Sequence, residues 1–95
     1  MTFEWDDAKD VANQRKHGLA FEEATYVFSD PLHVTSFERI VDGEERWQTF
    51  GLVGGIRILM VAHTIRDDNG IEVFRLISAR AATKHERRDY EEQNS

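Results

Sequence analysis

Asp42-Gly43-Glu44, Gly54-Gly55 and Asp67-Asp68-Asn69-Gly70 divide the middle of this chain into four runs, residues 32–41, 46–53, 56–66 and 71–81. Asp, Asn and Gly pairs of this kind accept the left-handed backbone that a tight hairpin needs. Strand-length runs between such turns predict four strands joined in sequence, an antiparallel β-meander. The run Ile56–Ile65 is apolar at both parities, which places it centrally, with both faces covered. Phe3 and Trp5 alternate as a short strand would and are candidates for an extra edge strand.

Ahead of the meander, "EWDDAKDVANQRKHG" has the signals of a helix. Asp6 suits the N-cap, Asp7 and Asp10 lie in or near the first turn, Arg15, Lys16 and His17 fill the last, and Gly18 follows as C′. In "FEEATYVFSDP", Phe21, Ala24 and Phe28 recur at helical spacing until Asp30-Pro31 stops them. Thr83-x-x-Glu86 is a capping box and opens a short C-terminal helix. The predicted order is β-α-α-β-β-β-β-α, an α+β fold with two N-terminal helices and one C-terminal helix against a single sheet.

The 95 residues suffice for one domain, 1–95, that buries roughly 60–65% of its unfolded surface. The chain has no cysteine, which excludes disulfides and thiolate metal sites and fits a reducing cytoplasm. "MTFEWDDAKD" has no secretory n-region or h-region, and the apolar stretch around "ILMVA" is too short for a bilayer. A cytoplasmic protein without a membrane partner is therefore expected. The net charge of −6 argues against indiscriminate coating of nucleic acid. Its distribution is more telling: residues 1–45 carry eleven acidic and four basic side chains, −7, whereas residues 46–95 carry seven and eight, +1.

The basic groups concentrate late. Arg75, Arg80, Lys84, Arg87 and Arg88 face one acid, Glu86, over residues 75–88. From residue 83 the last helix has only Tyr90 as an apolar-bodied residue, so it reads either as a solvated helix or as one side of an anion site with Arg80. Arg66, Arg75 and Arg80 come late on, or just past, two strands joined by a hairpin, and register decides which of them meet. Strand parity sets Arg66 with Ile58, Met60 and Ala62, and Arg80 with Phe74 and Leu76; either arginine could instead snorkel at a core edge. Lys16 and His17 are explained by the helix dipole alone, and His63 suits a satisfied sheet histidine. The four histidines show no metal-ligand spacing, and Asp6-Asp7 and Asp67-Asp68 are explained by capping and turn chemistry. No metal or cofactor is expected. Ser78 has no triad context, and Gly54-Gly55 is a hairpin, not a phosphate loop.

The blocks "FEWDDAKDVANQRKHGLAFEEATYVFSDP", "GEERWQTFGLVGG" and "LISARAATKHERRDYEE" resemble the BrnT family of bacterial toxins, with "KHG", "FEEA", "GEERW" and "ISAR" in matching order from Phe3 to about Glu92. The resemblance implies a small RelE-like endoribonuclease encoded beside a BrnA antitoxin. That antitoxin would be a ribbon-helix-helix dimer through which operator DNA is reached, and which could cover the cationic side. Two positions depart from the family: Ala20 replaces a small capping residue before "FEEA", and Ala81 stands where a Lys or Arg is usual. A metal-free ribonuclease must drive the 2′-OH onto its own phosphorus, stabilise a phosphorane and release the 5′-oxygen. For these tasks Arg66 and Arg80 are the expected clamps, and His17 and Tyr90 the proton-transfer groups. Lys16, His63, Arg75, Lys84, Arg87 and Arg88 are the expected RNA contacts. An acidic body fits RNA cleavage if substrate presentation, as on a ribosome, supplies the orientation. The rival readings are a non-catalytic antitoxin-binding module acting as co-repressor, and a metal-dependent nuclease.

Overall fold

The hairpin turns form where the Asp, Asn and Gly pairs stand. In the computed structural model, which describes residues 1–94, Asp42-Gly43 (φ 52° and 79°), Gly54-Gly55 (65° and 67°) and Asn69-Gly70 (52° and 85°) all lie in the left-handed region. They join β2 (Val34–Val41), β3 (Glu44–Val53), β4 (Arg57–Asp68) and β5 (Ile71–Ala81) into consecutive antiparallel pairs. The expected edge strand is β1 (Thr2–Glu4), but it pairs with β5 in parallel, Phe3 opposite Phe74. The sheet is therefore mixed, with order β1-β5-β4-β3-β2, and not a purely antiparallel meander. β4 is central, and Ile58 to Thr64 are buried without interruption. The expected domain of residues 1–95 includes Ser95, which lies outside the described residues.

α1 (Asp7–His17) starts and stops on the predicted caps. Asp6 Oδ1 accepts from the N–H groups of Ala8 (2.8 Å) and Lys9 (3.1 Å), and Gly18 at φ 67° returns its N–H to Gln14 O. The second expected helix divides into α2 (Phe21–Ala24) and a 3-10 turn over Thr25–Ser29. Ala20 provides no side-chain cap for α2; Asp10 Oδ1 on α1 instead accepts the Phe21 N–H at 2.9 Å, which replaces the missing cap from outside. α3 (Lys84–Gln93) opens on the Thr83–Glu86 capping box.

The two faces of the sheet differ in what covers them. Leu59, Val61, Leu76 and Ala79 pack with Leu19, Phe21, Ala24 and Val27 into the main core, so α1, α2 and the 3-10 turn close one side. Gly51 permits this closure, because a Cβ there would lie 2.6 Å from Val27 O. The other side bears α3 alone, through a small cluster of Ile58, Ala82 and Tyr90 joined by Val34 and Phe50. We call these the helix face and the open face.

β1 ends at Glu4, opposite Arg75, so the rest of β5 has no strand on its outer edge. Buried Asn13 takes over part of that pairing. Its Nδ2 donates to Ala79 O (2.9 Å) and Leu19 O (2.8 Å), and its Oδ1 accepts the Ala79 N–H at 3.0 Å. The side-chain amide presents one donor and one acceptor to Ala79 as a neighbouring strand residue would. Asn13→Ala strands these groups and is expected to cost about 2–3 kcal/mol in urea unfolding, whereas Gln14→Ala, exposed at the next position, changes stability by under about 0.5 kcal/mol.

Candidate functional site

Two β-bulges decide which side chains share the open face. The register of β4 and β5 slips between Ala62 and His63, leaving Ile77 without a partner; that of β2 and β3 slips between Phe37 and Arg39, leaving out Glu38. A one-residue slip exchanges the faces of everything beyond it. Phe74 and Leu76 thus face the helices together with Ala79, while Arg75, Ser78 and Arg80 face the open side. Simple parity sets Arg80 with Phe74 and Leu76; the bulge reverses that. Across the open face Arg80 stands in line with Met60, Phe50 and Val34, and Ser78 with Ala62, Gln48 and Ser36. Arg75 stands opposite Thr64, and Arg39 opposite Arg46. With Arg66, these residues give four strands of the open face five arginines.

The expected pairing of Arg66 with Arg80 at one phosphate does not occur. Arg80 is opposite Met60 and Arg66 opposite Val73, six residues apart along β4, or about 20 Å at ~3.3 Å per residue. Each guanidinium is instead held by a carboxylate. Arg66 makes a bidentate pair with Glu4, one arm at 3.2 Å. Its hydrogen bond is the main reason that Glu4 lies below the usual carboxylate range. Arg80 donates to Glu86 at 2.7 and 3.1 Å and to Ala81 O at 3.2 Å. Glu86 is the same residue that caps α3, its Oε1 accepting the Thr83 N–H at 2.8 Å. The Arg80 hydrogen bonds, against the opposing effect of burial and with help from Thr83, hold its pKa at about 2.

Arg75 is exposed in the middle of this array. The last turns of α1 and the bulged stretch of β5 form a shallow groove lined by Lys9, Lys16, His17, Ile77 and Ser78. His17 and Lys16 thus sit at the strand edge where Ser78 stands between Arg75 and Arg80. Lys84, Arg87 and Arg88 are exposed on one side of α3, at the Arg80 end of the sheet.

Two expected site residues are turned inward. His63 has no exposed surface, so it cannot touch RNA. It stacks on Phe74 at 5.1 Å, meets Phe28 edge-on, and holds Thr49 Oγ1 at 2.7 Å through Nε2. Burial pushes its pKa down to about 4, so the ring is neutral in the fold. Tyr90 is buried against Ile58 and donates its hydroxyl to Asp30, and burial together with that carboxylate raises its pKa to about 12. Burial alone would raise Asp30, but the Leu52 N–H, the Tyr90 hydroxyl and the Leu32 N–H outweigh it and the net shift is downward. In this arrangement Tyr90 anchors α3 and is poorly placed to shuttle a proton.

Arg46 and Arg39 also stand on the open face, and the sequence reading did not single them out. The Nε of Arg46 is buried without a hydrogen-bond acceptor among the described residues, an arrangement that folded proteins generally avoid. The available signal was parity: Arg46 falls in step with Gln48 and Phe50, opposite to Trp47, Thr49 and Gly51. Among the described residues no three His, Cys, Asp or Glu side chains gather to hold a metal ion, and no helix is long and apolar enough to cross a membrane.

Comparison with known proteins adds to this geometry. Residues 5–86 match the family described as "Ribonuclease toxin, BrnT, of type II toxin-antitoxin system". The ribonuclease toxin BrnT of Brucella abortus, known from a crystal structure, is similar at 26% identity and a TM-score of 0.61, over 88% of this chain and 99% of that one. No curated protein matches the sequence.

The Arg80–Glu86 pair sets a pH dependence. Glu86 has a folded pKa below its ordinary 4.5, so its contribution to stability is complete above about pH 4.5 and is lost as pH falls towards 2. Carboxyl NMR titration should give Glu86 a midpoint near 2 in the wild type. In Arg80→Ala the midpoint should move up towards the ordinary value, and α3 should lose helicity at a higher pH than in the wild type.

Proposed function

This chain belongs to the BrnT family of ribonuclease toxins of type II toxin–antitoxin systems, and from that we propose that it is a metal-independent endoribonuclease whose substrate lies across the open face along β5. What most supports the reading is the alignment of Arg75, Ser78 and Arg80 on that face with Lys16 and His17 at its edge. Arginine suits the task, since its planar fork donates to two phosphate oxygens and stays protonated.

In this reading the 2′-OH attacks the adjacent phosphorus and the 5′-oxygen departs, leaving a 2′,3′-cyclic phosphate. Arg80 and Arg75 bear the charge of the phosphorane. Arg80 is oriented by Glu86, and RNA phosphate competes with that carboxylate for its donors. Arg46, with its unpaired Nε, is a third candidate for the same backbone. Arg66, far along β4 and paired to Glu4, serves as a distal contact instead of a second clamp. His17 is the proton-transfer group, and Lys16, Lys84, Arg87 and Arg88 hold flanking phosphates. A requirement for the 2′-OH makes DNA inert. No cofactor enters this chemistry.

The family membership supports, as the biological setting of this reading, a RelE-like toxin of the bacterial cytoplasm that inhibits translation by cutting RNA, presented free or on the ribosome. A BrnA-like ribbon-helix-helix antitoxin neutralises it, and operator DNA is contacted only through that antitoxin. A second reading, a non-catalytic antitoxin-binding module that acts as co-repressor, draws on the carboxylate pairs that already occupy Arg66 and Arg80.

The test is incubation with labelled single-stranded RNA in EDTA, with and without ribosomes. Wild-type protein should leave 2′,3′-cyclic phosphate ends. Arg80→Ala should reduce the rate by about 10²–10³-fold, the usual effect of removing one donor to a developing oxyanion. Arg75→Ala and His17→Ala should reduce it strongly, and Arg66→Ala by less than about tenfold. Intact RNA under all conditions, with antitoxin binding retained, would establish the second reading.

A further inference from the structure

The helical layer does not cover the whole helix face. It stops short of the end of the sheet where the β2–β3 and β4–β5 hairpins turn. Phe37 stands opposite Trp47, and Trp47 opposite His63, so all three point to the helix side. Ile65, two residues beyond His63 and opposite Phe74, points the same way, as does Ile40, opposite Glu45. Phe37 meets Trp47 edge-on at 5.4 Å. Phe37 is 51%, Ile40 63% and Ile65 36% exposed, beside a half-buried tryptophan. Two exposed isoleucines beside an aromatic pair whose phenylalanine is itself half in water make a patch of the kind that marks an interaction surface.

Charge narrows the occupant. On the helix side of this end stand Glu45, opposite Ile40, and the facing pair Asp67 and Glu72, with Asp42 at the neighbouring turn. The cations of the same end, Arg39, Arg46 and Arg66, point to the open side, and Arg66 is paired with Glu4. The end of the sheet thus carries its arginines on one face and only acidic charges around the apolar patch on the other. A second copy meeting the patch face to face would bring like charges together. A segment with apolar anchors flanked by Lys and Arg would find both its anchors and its charges matched.

We propose that the Phe37–Ile40–Trp47–Ile65 patch is the docking site for a basic, amphipathic segment of the antitoxin, on the side of the sheet opposite the arginine array. The partner's identity rests on the toxin–antitoxin reading above; the surface does not. The antitoxin's anchor is accordingly separate from Arg75 and Arg80, and the RNA face is not its primary contact.

The experiment is calorimetric titration of the full-length protein with its cognate antitoxin. Phe37→Glu/Ile40→Glu alters two exposed side chains; unchanged circular dichroism and unchanged RNA cleavage without antitoxin show that its fold and open face persist. This variant should bind at least about 30-fold more weakly, with the blue shift of Trp47 fluorescence on binding abolished. Glu45→Lys/Asp67→Lys should weaken binding at least about tenfold at low salt, with less effect as ionic strength rises. Arg75→Ala and Arg80→Ala should change affinity less than about threefold. The proposal is overturned if the Arg variants lose binding while the Phe37/Ile40 variant retains it, since the antitoxin then covers the RNA face. It is equally overturned if the wild type self-associates through the patch in sedimentation. A free protein that cuts no RNA would defeat the catalytic reading alone, because the binding comparisons stand without it.

Discussion

The side chain of Asn13 joins three parts of the chain, α1, the α1–α2 turn and the outer edge of β5, by hydrogen bonds that the apolar core cannot supply. β5 needs a partner on its outer side, yet β1 is too short to serve beyond Arg75. The buried amide of Asn13 supplies Ala79 with the missing donor and acceptor and in the same place binds Leu19 O, where the chain turns from α1 into α2. Three hydrogen bonds therefore set the position of α1 against the sheet. Everything at the end of α1, including Lys16 and His17, inherits its place beside β5 from this contact. A hydrophobic residue at position 13 could pack, but it could not satisfy both groups of Ala79.

The open face depends on two irregularities in an otherwise regular sheet. Without the bulge at Ile77, Arg75 and Arg80 would point to opposite sides, one of them into the core beneath the helices. With it, both lie in the open and Ser78 stands between them. The bulge at Glu38 does the same for Arg39 on the edge strand, and it also interrupts a row of edge N–H and C=O groups of the kind that recruits another strand. Local loss of two ladder positions thus yields a cationic surface on a protein of net charge −6.

α3 is held by polar contacts where its own sequence offers almost nothing apolar. Tyr90 supplies the single buried anchor and ties to Asp30, which also accepts from Leu32 and Leu52. Glu86 closes the helix cap and grips Arg80. The helix, the start of β2 and the end of β5 are therefore linked through two carboxylates. This explains why groups that look catalytic in the sequence, Tyr90 above all, are occupied with structure.

The elements themselves were legible in the sequence. The three turns, the Asp6 and Gly18 caps, the Thr83–Glu86 box and the central placement of β4 all depend on residues within a few positions of one another, and local chemistry is enough to specify them. The uncapped start of α2 at Ala20 was legible too, but not its replacement by Asp10, which reaches across from α1. The site was only half legible. Composition identified the arginines, yet which of them share a face, and that Arg66 and Arg80 stand far apart, depended on strand register and on two unmarked bulges. The reading of His63 as a satisfied sheet histidine was legible, but its partners and those of Tyr90 were not, since Phe74, Phe28 and Asp30 lie up to sixty positions away. Sequence by itself determined what the chain could form locally and which charges it carried. Tertiary structure alone decided which face each charge occupies, because a one-residue shift in pairing reverses every side chain beyond it.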